Sequence, residues 1–466
     1  MRKDKLFLSF WFEFNSCRTH SITQEQKMKK TLAALAMVTM SGSALADSGL
    51  DIDHAYAAEL RADANTRSSL LGSSGSALDI SILTQFRYTY NNRDEIGGTA
   101  LGDADTTVGF STPRTQIRMS GGVEGTDISG FVSLDFGGAF DHGMSAGVGA
   151  TGDGGATLRE AYAAWGLDDS WTLLFGQLKN PFSAESSIAP EHSQGVERSL
   201  TNSFFDVGYA QGIALNYADD EWRFTTAIAD GPSHFFVGNT ANSFYTSGSE
   251  ADISITGRLD WLISGNWDQF SDFASWRGSN TGFRVGVGAH WSQMGNTNPA
   301  LAGAFAGGDS LTATAWTVDA QYEGDGWGVF ASFTSLNADL DLIAGSSLDR
   351  TDNGIVLQGN IFFTDQFEAF ARYDIILLDD DATALLPLAA TAEDQYATFT
   401  VGFNYYLVPE SHAARFSMDV GFGLSDTTGL DTLGFTDMQT TGYLGSGAAG
   451  STEDEVTLRG QFSLLF

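Results

Sequence analysis

The chain has 466 residues and a formal net charge of −34, with 54 Gly, 7 Pro and a single cysteine, Cys17. So acidic a chain repels nucleic-acid phosphates, and one cysteine permits no internal disulfide. The length suits one large β domain or two ordinary ones.

Residues 1–27 show no periodicity and read as a misassigned upstream start. Met28-Lys29-Lys30, the apolar run Thr31 to Met40 and Ala44-Leu45-Ala46 then follow the pattern of a secretory signal peptide over 28–46. Its removal would take seven basic residues, three acids and Cys17, leaving seventeen Lys or Arg against fifty-five Asp or Glu. No later stretch approaches the ~18 apolar residues of a membrane helix, which leaves strands as the only way to span.

Residues 47–76 carry the one helix-like pattern, a periplasmic segment with Leu50, Tyr56, Leu60 and Leu70 loosely in phase, closed by a Gly-Ser linker. From Leu78 the period changes to two. Ile80, Ile82, Phe86, Tyr88 and Tyr90 share one face, while Ser81, Gln85, Arg87 and Thr89 share the other. Fifteen similar segments follow, at 113–123, 128–136, 157–167, 171–179, 211–218, 222–230, 253–262, 282–293, 311–323, 327–336, 354–363, 367–377, 395–407, 414–424 and 455–466. Most have the length a tilted strand needs to cross a bilayer, about 9–11 residues. Tight connections such as 124–127, 168–170, 324–326 and 364–366 alternate with long ones such as 91–112, 137–156, 180–210, 337–353 and 425–454. Residues 263–281 break the alternation and read as a short ordered periplasmic excursion.

This pattern predicts an all-β protein, a 16-stranded antiparallel transmembrane β-barrel over residues 77–466 with short periplasmic turns and long extracellular loops. Aromatics sit beside nearly every tight turn, Trp165 and Trp171 or Tyr322 and Trp327 for example, as an interfacial girdle requires. Charges fall in mid-strand opposite the apolar set. Arg87, Arg118, Arg223, Arg258, Arg284, Arg372, Arg415 and Arg459 are accompanied there by Asp79, Asp135, Glu160, Asp260, Asp319, Glu368, Asp374 and Asp419. In a membrane barrel that face lines water, and this lumen wall is nearly balanced in sign. The excess acid lies in the long loops, densest at Asp379-Asp380-Asp381. It suits cation gathering, divalent-bridged contact with lipopolysaccharide, or simple solvation. The final strand ends on Phe466, a terminal aromatic that resembles the sorting signal of bacterial outer-membrane barrels.

GFSTPRTQIRMSGGVEG (109–125), ISGFVSLDFG (128–137), LREAYAAWGL (158–167), WTLLFGQLKNPFSAE (171–185) and EHSQGVERSL (191–200) together resemble the phosphate-selective porin O and P family. The resemblance implies a trimeric outer-membrane channel for small hydrophilic solutes or ions, anions such as phosphate among them. It also implies a third extracellular loop, here Asn180 to Ala210, folded inward to narrow the pore. Glu185, Glu191 and Arg198 lie on that loop. The best-known members rely on a ladder of arginines and a lysine cluster. This sequence departs from that pattern, because acids accompany its arginines and Lys179 is the only lysine after Lys30.

Gln177 and Lys179 stand on a strand whose two faces are both apolar, and the cost of placing them in lipid turns them toward the lumen. With Glu185, Glu191, Arg198, Arg87, Arg118, Arg284, Arg372, Glu160 and Asp135 they form the expected pore lining and constriction. Pairing of the arginines with lumen acids competes with their use as oxyanion ligands. His54, His142, His192, His234, His290 and His412 show no ligand spacing, so neither a metal site nor a cofactor is expected, and no catalytic constellation stands out. A barrel with a structural or adhesive duty and a secreted soluble β-rich protein are the alternatives.

Overall fold

The structure is a computed structural model and describes residues 78–93, 106–137, 157–231, 251–294, 308–342, 347–379, 393–427, 442–443 and 454–466. The expected leader, signal segment and helix at 47–76 lie outside the described residues.

Sixteen strands close into one antiparallel barrel in which each pairs with its neighbours in sequence and β1 pairs with β16. They are β1 (Leu78–Asn92), β2 (Thr106–Gly122), β3 (Ile128–Asp135), β4 (Thr157–Gly166), β5 (Trp171–Lys179), β6 (Tyr209–Ala218), β7 (Trp222–Ala229) and β8 (Ala251–Ser264). The second half comprises β9 (Gly282–Met294), β10 (Gly308–Gly324), β11 (Trp327–Leu342), β12 (Ser347–Phe362), β13 (Phe367–Leu377), β14 (Gln395–Tyr406), β15 (Ala414–Gly423) and β16 (Val456–Leu465). Phe466 completes the closure, exchanging backbone hydrogen bonds with Ile82 at 2.7 and 3.0 Å. A closed barrel leaves no unpaired edge, the condition for a sheet to stand in hydrocarbon.

The face assignment follows from exposure. Phe86, Val108, Ile228, Val287, Val329, Leu357 and Ile361 are exposed on the outside, while Gln85, Arg87, Asp135, Asp319, Asp374 and Arg459 are buried on the inside. Girdle aromatics pair beside the tight turns, Trp222 on Trp261 at 5.3 Å and Trp171 on Tyr217 at 4.8 Å.

Two expected boundaries move. The β2 strand starts at Thr106 instead of 113, passing straight through Pro113. Gln85 pairs with Arg114 and Arg87 with Ser111, so Thr112 and Pro113 together oppose Phe86 in a bulge. Proline has no N–H for the ladder, and a bulge is where a strand can carry it. The bulge also flips the alternation, so Phe110 faces out and Arg114 faces in although both are even-numbered. The expected long loop 337–353 is mostly strand, because β11 and β12 run on to Leu342 and from Ser347. Polar residues such as Asn337, Asp339 and Asp349 extend that hairpin, which polarity alone disguises as loop.

Candidate functional site: the inward loop

The long connection between β5 and β6 fills much of the lumen. Its base is closed by Asn180, whose N–H donates to the Gly208 carbonyl at 2.9 Å. Two short helices follow, α1 (Ala184–Ser187) and α2 (Leu200–Phe205), with a 3-10 turn at Pro190–His192 between them. Each helix is capped by serine: Ser183 accepts from the Ser186 N–H at 3.0 Å and Ser199 from the Asn202 N–H at 2.9 Å. Glu185 stitches the loop to itself, accepting from the Ser199 N–H and hydroxyl, both at 2.6 Å.

The loop is bound to the barrel wall by apolar packing and by charge. Phe182, Leu200, Phe205 and Val207 join Ala313, Ala315, Leu336 and Ile376 of the inner wall in one buried cluster. Gly288 lets the loop's first residues approach β9, since a Cβ there would stand 2.2 Å from the Phe182 carbonyl oxygen. Arg258 donates to that same carbonyl at 3.1 Å and pairs with Asp319 at 2.8 Å. Farther along, Glu197 is clasped by Arg114 at 2.7 Å and Arg87 at 2.5 Å. Val196 N–H reaches Asp419 at 3.0 Å, Arg372 donates to the Glu197 carbonyl at 2.9 Å, and Arg415 to the Ser193 carbonyl at 2.8 Å. Glu191 pairs with Arg118. Burial would raise both loop glutamates, but the arginine partners win and hold Glu191 and Glu197 below the usual carboxylate range.

These ties place the predicted residues in two groups. Arg87 and Arg372 lie buried beneath the loop and Glu185 is buried within it, while Arg284 sits on the wall between Asp260 and Gln321, at 3.4 and 3.0 Å. Arg118, Glu160, Lys179 and Arg198 gather around Tyr209, joined there by Arg159. Lys179 stands 3.8 Å from Asp206 and 5.4 Å above the Tyr209 ring, and Arg159 lies 5.2 Å from the same ring. Asp135 receives Arg159 at 2.9 Å and Gln116 at 2.9 Å. Arg198 donates to the Glu185 and Ile188 carbonyls at 3.1 and 2.6 Å and forms no ion pair among the described residues. Gln177 spends its amide on the Leu158 and Arg159 carbonyls of β4, at 2.7 and 3.0 Å.

A family model described as phosphate-selective porin O and P matches residues 84–429. The chain belongs to this family. It is an outer-membrane porin of the Gram-negative type, a water-filled barrel through which small hydrophilic solutes diffuse, and the loop from Asn180 to Gly208 narrows that barrel. No curated protein sequence matches it.

Solved structures agree on the fold. The porin is similar to the outer-membrane channel DcaP of Acinetobacter baumannii, at 13% identity and a TM-score of 0.51, covering 84% of this chain and 98% of that one. An anion-selective porin from Comamonas acidovorans gives 11% identity and 0.52, covering 84% and 100%. OprB of Pseudomonas putida, in its high-pH structure, gives 12% and 0.53, covering 86% and 96%.

Sequence reasoning missed Glu197, Arg114 and Arg159. Arg114 was masked by the bulge that reverses the β2 alternation, and Arg159 by a second register shift at Ser133/Leu134, opposite the β4 bulge that turns it inward beside Glu160. Glu197 lies in the quoted EHSQGVERSL stretch, and nothing local distinguishes it from Glu191.

Proposed function

We propose that this porin passes anions in preference to cations along the β2–β6 wall, with phosphate-like oxyanions among its solutes. The observation that carries the reading is an asymmetry of exposure within ion pairs. The side chain of Arg159 keeps 22% exposure and that of Arg118 19%, while their partners Asp135 and Glu191 keep 1% and 3%. Each pair therefore offers water its cation and hides its anion. Lys179 and Arg198 add two further positive groups against Glu160 and Asp206. Arginine forks suit tetrahedral oxyanions, and their charge is fixed at every physiological pH.

The channel carries out no chemical step on its solutes in this reading. It assembles as a homotrimer, as the family resemblance implies, and its acidic loops meet lipopolysaccharide through divalent cations. Reversal potential across planar bilayers in a potassium chloride gradient tests the selectivity. An anion-directed potential, with chloride conductance reduced by added phosphate, supports the reading, and a cation-directed potential overturns it.

A further inference from the structure

The β8–β9 connection lies at the tight-turn end of the barrel, and it folds inside. Asn266 and Gln269 form a capping box on the 3-10 turn Trp267–Ser271, which sets the direction of entry. Phe270 within the turn and Phe273, Ala274 and Ser275 beyond it are buried. Phe273 packs on Phe330 at 4.8 Å, and Trp276 on Phe362 and Tyr406 at 5.0 and 4.7 Å. All three partners alternate with outward-facing residues and so belong to the lumen wall. Gln321 holds the Asp272 carbonyl at 2.8 Å, and Arg277 reaches the Phe363 carbonyl at 2.8 Å.

This inward segment meets the inward loop. Phe273 shares a buried cluster with Ala184 and Ile188 of the loop. The His192 Nδ1–H donates to the Ser271 carbonyl at 3.3 Å, and His412, from the β14–β15 turn, donates through Nε2–H to Asp272 at 2.8 Å. The two imidazole rings touch at a tilt of 41°, with centroids 4.5 Å apart.

We propose that residues 265–281 form a second constriction element on which the loop is seated, and that His192, Asp272 and His412 are positioning residues of a joint that protonation unseats. Each ring already uses one N–H, and a proton added to His192 places its charge against the His412 ring. The charged groups around the joint complete its electrostatics. Asp272 is within reach of Glu323 on β10, Glu191 is already held by Arg118, and Tyr406 stands between the joint and Glu368 and Arg415 on the inner wall. Burial, with His412 next, holds His192 below its ordinary value. Because the seated His192 binds a proton more weakly than a free imidazole, the joint is favoured at neutral pH and loses that advantage as pH falls below about 6.5.

Single-channel conductance of the full-length porin, followed from about pH 7.5 to about pH 5, reads the joint directly. Channels at the neutral end establish the porin reading separately. The expected result is a conductance change of roughly twofold or more through the histidine range, abolished in His192→Gln and His412→Gln. A flat wild-type profile overturns the proposal, and so does a titration that persists in the double variant. Should those variants fail to fold, a spin label at Ser187→Cys in a Cys17→Ser background keeps both histidines. Gain of label mobility on acidification supports the joint, and unchanged mobility overturns it.

Discussion

Arg114 grips Glu197 through two parallel bonds, Nη1 to Oε1 at 2.7 Å and Nη2 to Oε2 at 2.8 Å, joining the tip of the constriction loop to β2. Arg87 of β1 adds a third contact to the same carboxylate. One loop anion is thus shared by two wall arginines, and the cluster keeps one net positive charge. Glu197→Gln should release that charge into the lumen and loosen the loop, raising conductance and moving the reversal potential further toward anions. Adding Arg87→Gln alone, which restores the cluster's original net charge, should return selectivity but not conductance to the starting value.

Lys179 occupies the loop base, beside Asp206 and Tyr209. Lys179→Glu should shift selectivity toward cations by about fivefold, on the order of 1 kcal/mol for a partly screened charge at the passage. Reversal potentials of wild type and variant in the same salt gradient decide it. An unchanged value would make the residue a structural fastener of the loop.

The clamps on the loop should survive mild acid. Glu191 has its protonation pulled below the ordinary carboxylate value, so its tie contributes stability above about pH 4.3 and is lost only as pH falls through the lowered value. Conductance changes between neutrality and about pH 5 therefore do not report these glutamates. Arg118→Gln should raise the pH at which the loop loosens, visible as earlier onset of protease cleavage on acidification.

Arg258 and Asp319 are both buried, and the same guanidinium also holds Asp260 and the Phe182 carbonyl. Arg258→Met leaves buried Asp319 only its longer contact with Arg284, at 3.7 Å, and should cost up to about 3–5 kcal/mol, whereas Arg258→Met with Asp319→Leu should cost much less. Denaturant midpoints of the detergent-solubilised barrel provide the comparison.

At Gly176 the backbone has φ +136°, and a Cβ would lie 2.2 Å from the Ala161 carbonyl oxygen. Gly176→Ala should destabilise the barrel by about 1–3 kcal/mol through strain at that position. The temperature at which the folded band converts to the unfolded one in a detergent gel should fall accordingly.

The barrel was legible because its signals are local and repeated. Alternation over Leu78 to Tyr90, tight turns such as 168–170 and the aromatics beside them each follow from one strand's need to present opposite faces to lipid and water. Boundaries slipped where a local rule had a nonlocal exception. Pro113 marks a strand start unless a partner strand accepts a bulge, and whether β1 does so is not written near residue 113. Of the site, the loop's place after β5 was legible from the resemblance, while the partner of each arginine was not.

By itself the sequence determined the strand number, the inside and outside of most strands, the sign balance of the lumen wall and the position of the long loop after Asn180-Pro181. Those properties depend on periodicity and composition along a continuous stretch. Only the tertiary structure decided that Glu197 faces Arg87 and Arg114, that cations and not their paired acids meet water near Tyr209, and that His192 packs against His412. The reason is physical. A closed barrel brings residues far apart in the chain to one lumen, and the energy of a charge there depends on its neighbours and its access to water more than on its place in the sequence.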